Sequence, residues 1–209
     1  MASTGTQIRD FPCGGGRCRI NQMGSRNGGG SLVNSFALVS YLPDPLAGFL
    51  DGLRCDLAQE FHARAHVTVL PPRPLACPSN ETWVFLKEHL QDFQPFRVEL
   101  GEIEIFPVTD VLYFAVQAGQ AELKRLHAAL NAGPLAFEEP FVYHPHVTLA
   151  QELEPKDVAA VAEAAAQRWK EYPHSRAFVV DALTFVQNTL ENRWMDLHGI
   201  ALSTGVPSL

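Results

Sequence analysis

His66-Val67-Thr68-Val69 and His146-Val147-Thr148-Leu149 repeat one pattern eighty positions apart. Each reads as a short strand. Residues i and i+2 of a strand share a face, roughly 7 Å apart. In each copy the His and the Thr therefore look one way, while Val67 and Val69, or Val147 and Leu149, look the other. A duplicated imidazole-plus-hydroxyl pair points to a two-histidine acid–base site that a symmetrical fold brings together.

Outward from the two motifs the chain repeats an order of elements. Phe36 to Tyr41 reads as a strand, and Asp44-Pro45 is a suitable N-cap and first-turn pair. Leu46, Phe49, Leu50, Leu53 and Leu57 follow helical spacing. After the first motif, Ser79 can cap a helix with Trp83, Leu86, Leu90 and Phe93 inward. A strand then runs from Phe96 to Phe106, where the apolar parity shifts across Gly101 and predicts a β-bulge. The second half gives a strand at Val111 to Val116, a helix marked by Leu123, Leu126 and Leu130, and the second motif. An Ala-rich helix (Val158, Val161, Ala165 and Trp169 inward), a strand at Ala177 to Val186 and a last strand at Trp194 to Leu202 complete it. With two copies this is an internal duplication and not a solenoid. Residues 1–33, rich in Gly, Ser, Arg and Asn, are expected to form a disordered tail. Residues 34–209 are expected to form a single bilobed domain, with lobe repeats at roughly 35–106 and 111–203.

The composition narrows the classes of function. The chain has 209 residues, 46% hydrophobic and 19% charged, so it can bury a core. Its formal charge of −7 argues against broad binding of duplex DNA, which needs a basic footprint. A local pocket can still hold one phosphate. No stretch approaches the ~20 apolar residues that span a bilayer, and the N-terminus lacks an apolar signal core. The cysteines (Cys13, Cys18, Cys55 and Cys77) include no CxxC, and reduced thiols in a cytoplasmic protein are expected.

Histidine both takes and gives a proton near neutral pH. Phosphodiester hydrolysis needs both transfers: one neutral imidazole removes a proton from the attacking water, and one protonated imidazole delivers a proton to the leaving oxygen. The hydroxyls of Thr68 and Thr148 can donate to the non-bridging oxygens as charge builds. The same set fits hydrolysis, transesterification or ligation. A metal site is the rival chemistry, but zinc takes three or four ligands, and Thr at i+2 is a poor one. No metal or other cofactor is expected.

The quoted stretches Ala65-His66-Val67-Thr68-Val69-Leu70-Pro71-Pro72 and Tyr143-His144-Pro145-His146-Val147-Thr148-Leu149-Ala150 resemble the 2H phosphoesterase superfamily. Its hallmark is two His-hydrophobic-Thr/Ser-hydrophobic motifs in two pseudo-symmetric lobes. The nearest resemblance is to the 2′-5′ RNA ligase-like and cyclic phosphodiesterase group, over about residues 35–203. That family often places an Arg after the second motif, where this chain has Gln151. The resemblance implies an α+β fold of two lobes, each an antiparallel sheet with helices on its outer face, and an active-site cleft between them. It implies His66 and His146 as catalytic groups in metal-independent hydrolysis of 2′,3′-cyclic phosphates. An RNA end or a small cyclic nucleotide is the expected substrate, and a monomer is expected. Two alternatives stay open: 2′-5′ RNA ligation or cleavage, and a nucleotide- or RNA-binding module without turnover.

Other residues carry a functional and a bland reading side by side. Arg64 and Arg73 flank the first motif and could hold a phosphate, or be solvated charges. Tyr143, Phe36, Tyr41 and Tyr113 could stack on a base, with sheet packing the alternative for Phe36 and Tyr113. His144 reads as a partly exposed residue leading into the motif. His62, His89, His127, His174 and His198 read as surface or packing residues.

Overall fold

The computed structural model describes residues 31–57 and 63–203. The expected tail lies outside them, except that its last residues belong to the first strand. The elements are β1 (Leu32–Tyr41), α1 (Leu46–Leu57), β2 (His66–Arg73), α2 (Ser79–His89), β3 (Phe96–Ile105), β4 (Leu112–Ala118), α3 (Gln120–Leu130), β5 (His146–Ala150), α4 (Val158–Lys170), β6 (Ala177–Val180), β7 (Ala182–Thr189) and β8 (Trp194–Ala201), with a short 3-10 turn at Gly133–Leu135.

The helices follow their apolar stripes. In α1, Leu46, Leu50 and Leu53 are buried, and the Asp44 carboxylate accepts from the Gly48 amide at 3.0 Å near its start. In α3, Leu123, Leu126 and Leu130 are buried. Gly119 turns β4 into α3 at φ 89°, where a Cβ would meet the Arg97 carbonyl at 2.6 Å. In α4, Trp169 is fully buried and donates its indole N–H at 2.8 Å to the carbonyl of Gly101. Gly101 sits in the expected bulge, where the pairing steps from Leu100↔Val116 to Ile103↔Phe114, one residue longer on β3 than on β4.

The strands form two four-stranded antiparallel sheets, β2-β1-β7-β8 and β5-β4-β3-β6. The fold is α+β with two lobes, but the lobes are not the two sequence repeats. Late strands of each half are exchanged: β3 of the first half pairs with β4 and β6 of the second, and β7, carrying β8, pairs with β1 of the first. The stretches 35–106 and 111–203 are therefore interleaved, each supplying strands to both sheets. For β3 the reason is local, because β3 and β4 are joined by a tight turn closed by Phe106 N–H to Val111 O at 3.0 Å. Sequential strands that can form such a hairpin usually do. The expected single strand at Ala177 to Val186 is two strands. β6 extends one sheet, and after Asp181 the chain crosses to the other as β7.

One apolar core joins both lobes, with Val67, Val69, Val147 and Leu149 wholly buried in it. α1 lies against β5 and α4, while α3 lies against β2 and α2. The motif valines and leucine thus face the helices, and the His and Thr side chains take the opposite face. Cys77 is free. Cys55 is in a disulfide, so the reduced-thiol expectation fails there, and Cys13 and Cys18 lie outside the described residues.

Candidate active site

Strand register builds the site from both lobes. In the first sheet Tyr41 is opposite His66 and Val39 opposite Thr68. In the second, Ala115 is opposite His146 and Tyr113 opposite Thr148. Both histidines and both threonines are half-buried. β2 and β5, each the end strand of its sheet, lie beside one another. The two motifs are thereby brought together.

The histidines are held the same way. His66 donates Nδ1–H to the Arg64 carbonyl at 2.6 Å, and His146 donates Nδ1–H to the His144 carbonyl at 2.7 Å. A carbonyl can only accept, so each bond fixes the tautomer and leaves Nε2 as the unprotonated nitrogen of the neutral ring. Burial pushes His66 down to about 4, with the positive charges of Arg54 and then His146 acting in the same direction and the Arg64 carbonyl opposing them. Burial also lowers His146, with the His144 carbonyl opposing and the His144 charge adding. Both rings are therefore neutral at pH 7 in the free protein.

Their neighbours differ. Tyr41 meets His66 edge-on at 6.4 Å, carries the Arg64 guanidinium 4.0 Å above its ring and donates its hydroxyl to Asp196 of β8. His146 meets Phe106 edge-on at 5.1 Å and Tyr113 at 5.4 Å, and those two rings stack at 3.9 Å. The Tyr113 hydroxyl donates to Glu104 at 2.7 Å.

Arg73 and Tyr143, both expected to touch substrate, are engaged by the protein. Arg73 is 1% exposed. It donates to the carbonyls of Pro71 and Leu135 at 3.0 and 2.9 Å, to Asn131 Oδ1 at 2.8 Å and to Glu139. The physical reason is its place at the far end of β2, turned into the second half. The Tyr143 ring stacks on His127 at 4.0 Å, and His127 Nε2 is 2.8 Å from the same Glu139. The Tyr143 hydroxyl donates to the Thr68 carbonyl at 2.7 Å. Arg64 alone of these flanking groups is half exposed beside a motif histidine.

Arg54 was not singled out by sequence reasoning. It is 1% exposed. It donates Nε at 3.0 Å, and also Nη2, to the Thr148 carbonyl. Its Nη1 reaches Asp51 Oδ1 at 3.2 Å and the Ala63 carbonyl at 3.4 Å. One signal was present: Arg54 lies four residues after Leu50 and eight after Leu46, on the apolar stripe of α1. A charge on such a stripe needs buried partners.

Among the described residues no group of three His, Cys, Asp or Glu side chains is placed to hold a metal ion. Among the described residues no helix is long and apolar enough to cross a membrane.

Comparison with known proteins agrees with this architecture. A relative from Oceanobacillus iheyensis, named a putative phosphoesterase, is 33% identical over 76 residues, covering 36% of this chain and 44% of its own length. One of the same description from Geobacillus is 26% identical, covering 51% of this chain and 67% of the relative. This chain thus spans about half to two thirds of such relatives. The crystal structure of apo E. coli LigT superposes with a TM-score of 0.55 at 16% identity, covering 82% of this chain and 98% of LigT. LigT complexed with 3′-AMP gives 0.56 at 16% identity, covering 82% and 99%. At that identity the likeness is one of fold. The family model of the 2′-5′ RNA ligase superfamily matches residues 42–192, most of the described fold and both motifs, and the chain belongs to that superfamily.

Proposed function

We propose that this protein hydrolyses 2′,3′-cyclic phosphates, on RNA ends or nucleotides, by two-histidine acid–base catalysis without a metal. The observation that carries the reading is the matched pair of Nδ1–H bonds to the carbonyl two residues back, which presents Nε2 of both rings for proton transfer. His66, pushed down to about 4, is the base. It takes a proton from water as the water oxygen attacks phosphorus. His146, lowered less, is the acid. Its Nε2–H goes to the ribose oxygen as the P–O bond breaks. A bound phosphate's negative charge favours the protonated form of His146 and supplies the charge the free site lacks. Thr68 and Thr148 donate to the non-bridging oxygens. The binding of 3′-AMP by LigT supports the substrate class, because ring opening of an adenosine 2′,3′-cyclic phosphate gives a product of that kind.

The test is incubation with 2′,3′-cyclic mononucleotides and cyclic-ended oligonucleotides in EDTA, with the product phosphate assigned by NMR. A nucleoside monophosphate or a linear phosphate end is expected. No turnover, or turnover abolished by EDTA and restored by zinc or manganese, overturns the reading. The superfamily match favours a second reaction on the same residues, joining or cleaving 2′-5′ linkages. Adding a 5′-hydroxyl oligonucleotide to the cyclic-ended RNA and looking for a longer product tests it.

A further inference from the structure

β2 and β5 are the facing edges of the two sheets. Facing edges either zip into one sheet, with strands about 4.8 Å apart, or have their free backbone groups occupied. Here side chains from the opposite half occupy them. Arg54, on α1 of the first half, caps the Thr148 carbonyl on β5. Tyr143, just before β5 in the second half, caps the Thr68 carbonyl on β2. The two carbonyls belong to equivalent residues of the two motifs, so the contacts cross as a pair.

Both caps are braced. The Arg54 guanidinium is also tied to Asp51 on its own helix and to the Ala63 carbonyl on the approach to β2. The Tyr143 ring lies flat on His127, within 3° of parallel, and His127 is tied through Glu139 to buried Arg73. Neither donor can move far without breaking several contacts.

We propose that Arg54 and Tyr143 are a crossed pair of positioning residues that hold the two histidine strands apart at the spacing a phosphate requires. The inference rests on the two-histidine reading of the site. Arg54 has a second effect, because its buried positive charge disfavours the protonated form of His66. The other charged or titratable groups around His66 are Arg64 on the approach to β2, Tyr41 of β1 with Asp196 of β8 behind it, and His146 of β5, while Asp51 is paired with Arg54 itself. Tyr143 carries no such charge, so the two halves of the clamp separate experimentally.

The experiment compares Arg54→Met, Arg54→Lys and Tyr143→Phe with the wild-type chain. Three readouts are needed: histidine ring titration by NMR without substrate, kcat and KM on a 2′,3′-cyclic nucleotide, and the melting temperature. In Arg54→Met the His66 midpoint should rise by about one pH unit while His146 moves little. Arg54→Lys keeps the charge and loses the planar fork. It should leave the His66 midpoint low and cut kcat roughly 10- to 100-fold, with KM within about threefold. Tyr143→Phe should cut kcat about 3- to 10-fold and move neither titration. If Arg54→Met does not fold, the lysine and phenylalanine variants decide. A folded Arg54→Lys protein with wild-type kcat overturns the clamp, and a folded Arg54→Met protein with an unmoved His66 midpoint overturns the charge effect of Arg54. If the wild-type chain turns over no cyclic phosphate while the His66 midpoint moves as stated, the reaction is misread while the coupling of Arg54 to His66 stands.

Discussion

The two histidine strands are copies in backbone and opposites in surroundings. On β2, His66 lies among arginines: Arg54 acts on it from α1, and Arg64 sits over its strand partner Tyr41. On β5, His146 lies against the stacked rings of Phe106 and Tyr113, with His144 as its nearby titratable neighbour. The duplicated part is the local device, an Nδ1–H bond to the carbonyl two residues back. The divergent part is the electrostatic setting. A duplicated motif thus acquires unlike settings without changing its own residues: the fold copies the imidazole, and the packing gives each ring its own electrostatic surroundings.

Removing the copies tests their common part and gives the largest effect. His66→Ala and His146→Ala should each lower kcat/KM at least ~100-fold on a 2′,3′-cyclic nucleotide. The double variant should fall short of the product of the two losses, because the rings act in one step. A single variant within threefold of wild type would assign that ring to packing. Replacing the leaving ribose oxygen by p-nitrophenolate, which departs without a proton, separates the roles. The His146→Ala loss should then shrink by at least ~10-fold while the His66→Ala loss persists. Equal shrinkage for both would break the assignment of base and acid.

Thr68→Val and Thr148→Val should each cost about 10-fold in kcat, since each removes one donor to the developing charge and keeps the β-branched shape. The pH profile sharpens the comparison further. In the free protein the base must be neutral, which requires a pH above the His66 value of about 4. The acid must be protonated, which requires a pH below the lowered His146 value. The kcat/KM bell should therefore centre on the acid side of neutrality, between about 4 and the unperturbed ~6.5. Bound phosphate should shift the kcat limbs upward. The two limbs belong to the coupled pair. A flat kcat/KM profile from pH 4 to 8, with chemistry limiting, would rule out the mechanism.

What the sequence disclosed, and what it hid, follows from the range of each interaction. The motif strands, the helical stripes and the bulge at Gly101 come from side-chain periodicity, which is local. Strand exchange is a choice of partner, which periodicity does not encode. The break at Asp181 did leave a mark: buried Phe178 and Val180 have even parity, while buried Leu183 and Phe185 have odd parity. A straight strand cannot keep both pairs on one face. The site was legible where it repeats and illegible where it is asymmetric. Arg73 and Tyr143 read as substrate contacts because Glu139, His127 and the Thr68 carbonyl, which engage them, are distant in sequence. Arg54 hid inside an apolar stripe for the same reason.

The smallest expected effect concerns stability, and its sign follows from the depressed histidines. An unfolded His66 binds a proton below ~6.5, whereas the folded one resists until about 4. Between those values the unfolded state holds more protons, so stability rises with pH, and the loss runs downward from about 6.5 to about 4. Above that window both states are neutral and His66 contributes no slope. The ring is half-buried, so solvent screens part of the effect, and its share is about 1–2 kcal/mol. His146 acts in the same direction by a smaller amount. Urea denaturation at pH 7 and pH 4.5 should show wild type losing more stability than His66→Gln, with His146→Gln between them. Taking the difference between variants cancels the carboxylates, which titrate in the same range in all three proteins. If the His66 and His146 variants flatten the pH dependence equally, the arginines around β2 do not distinguish the two rings, and the contrast between the strands reduces to their aromatic neighbours.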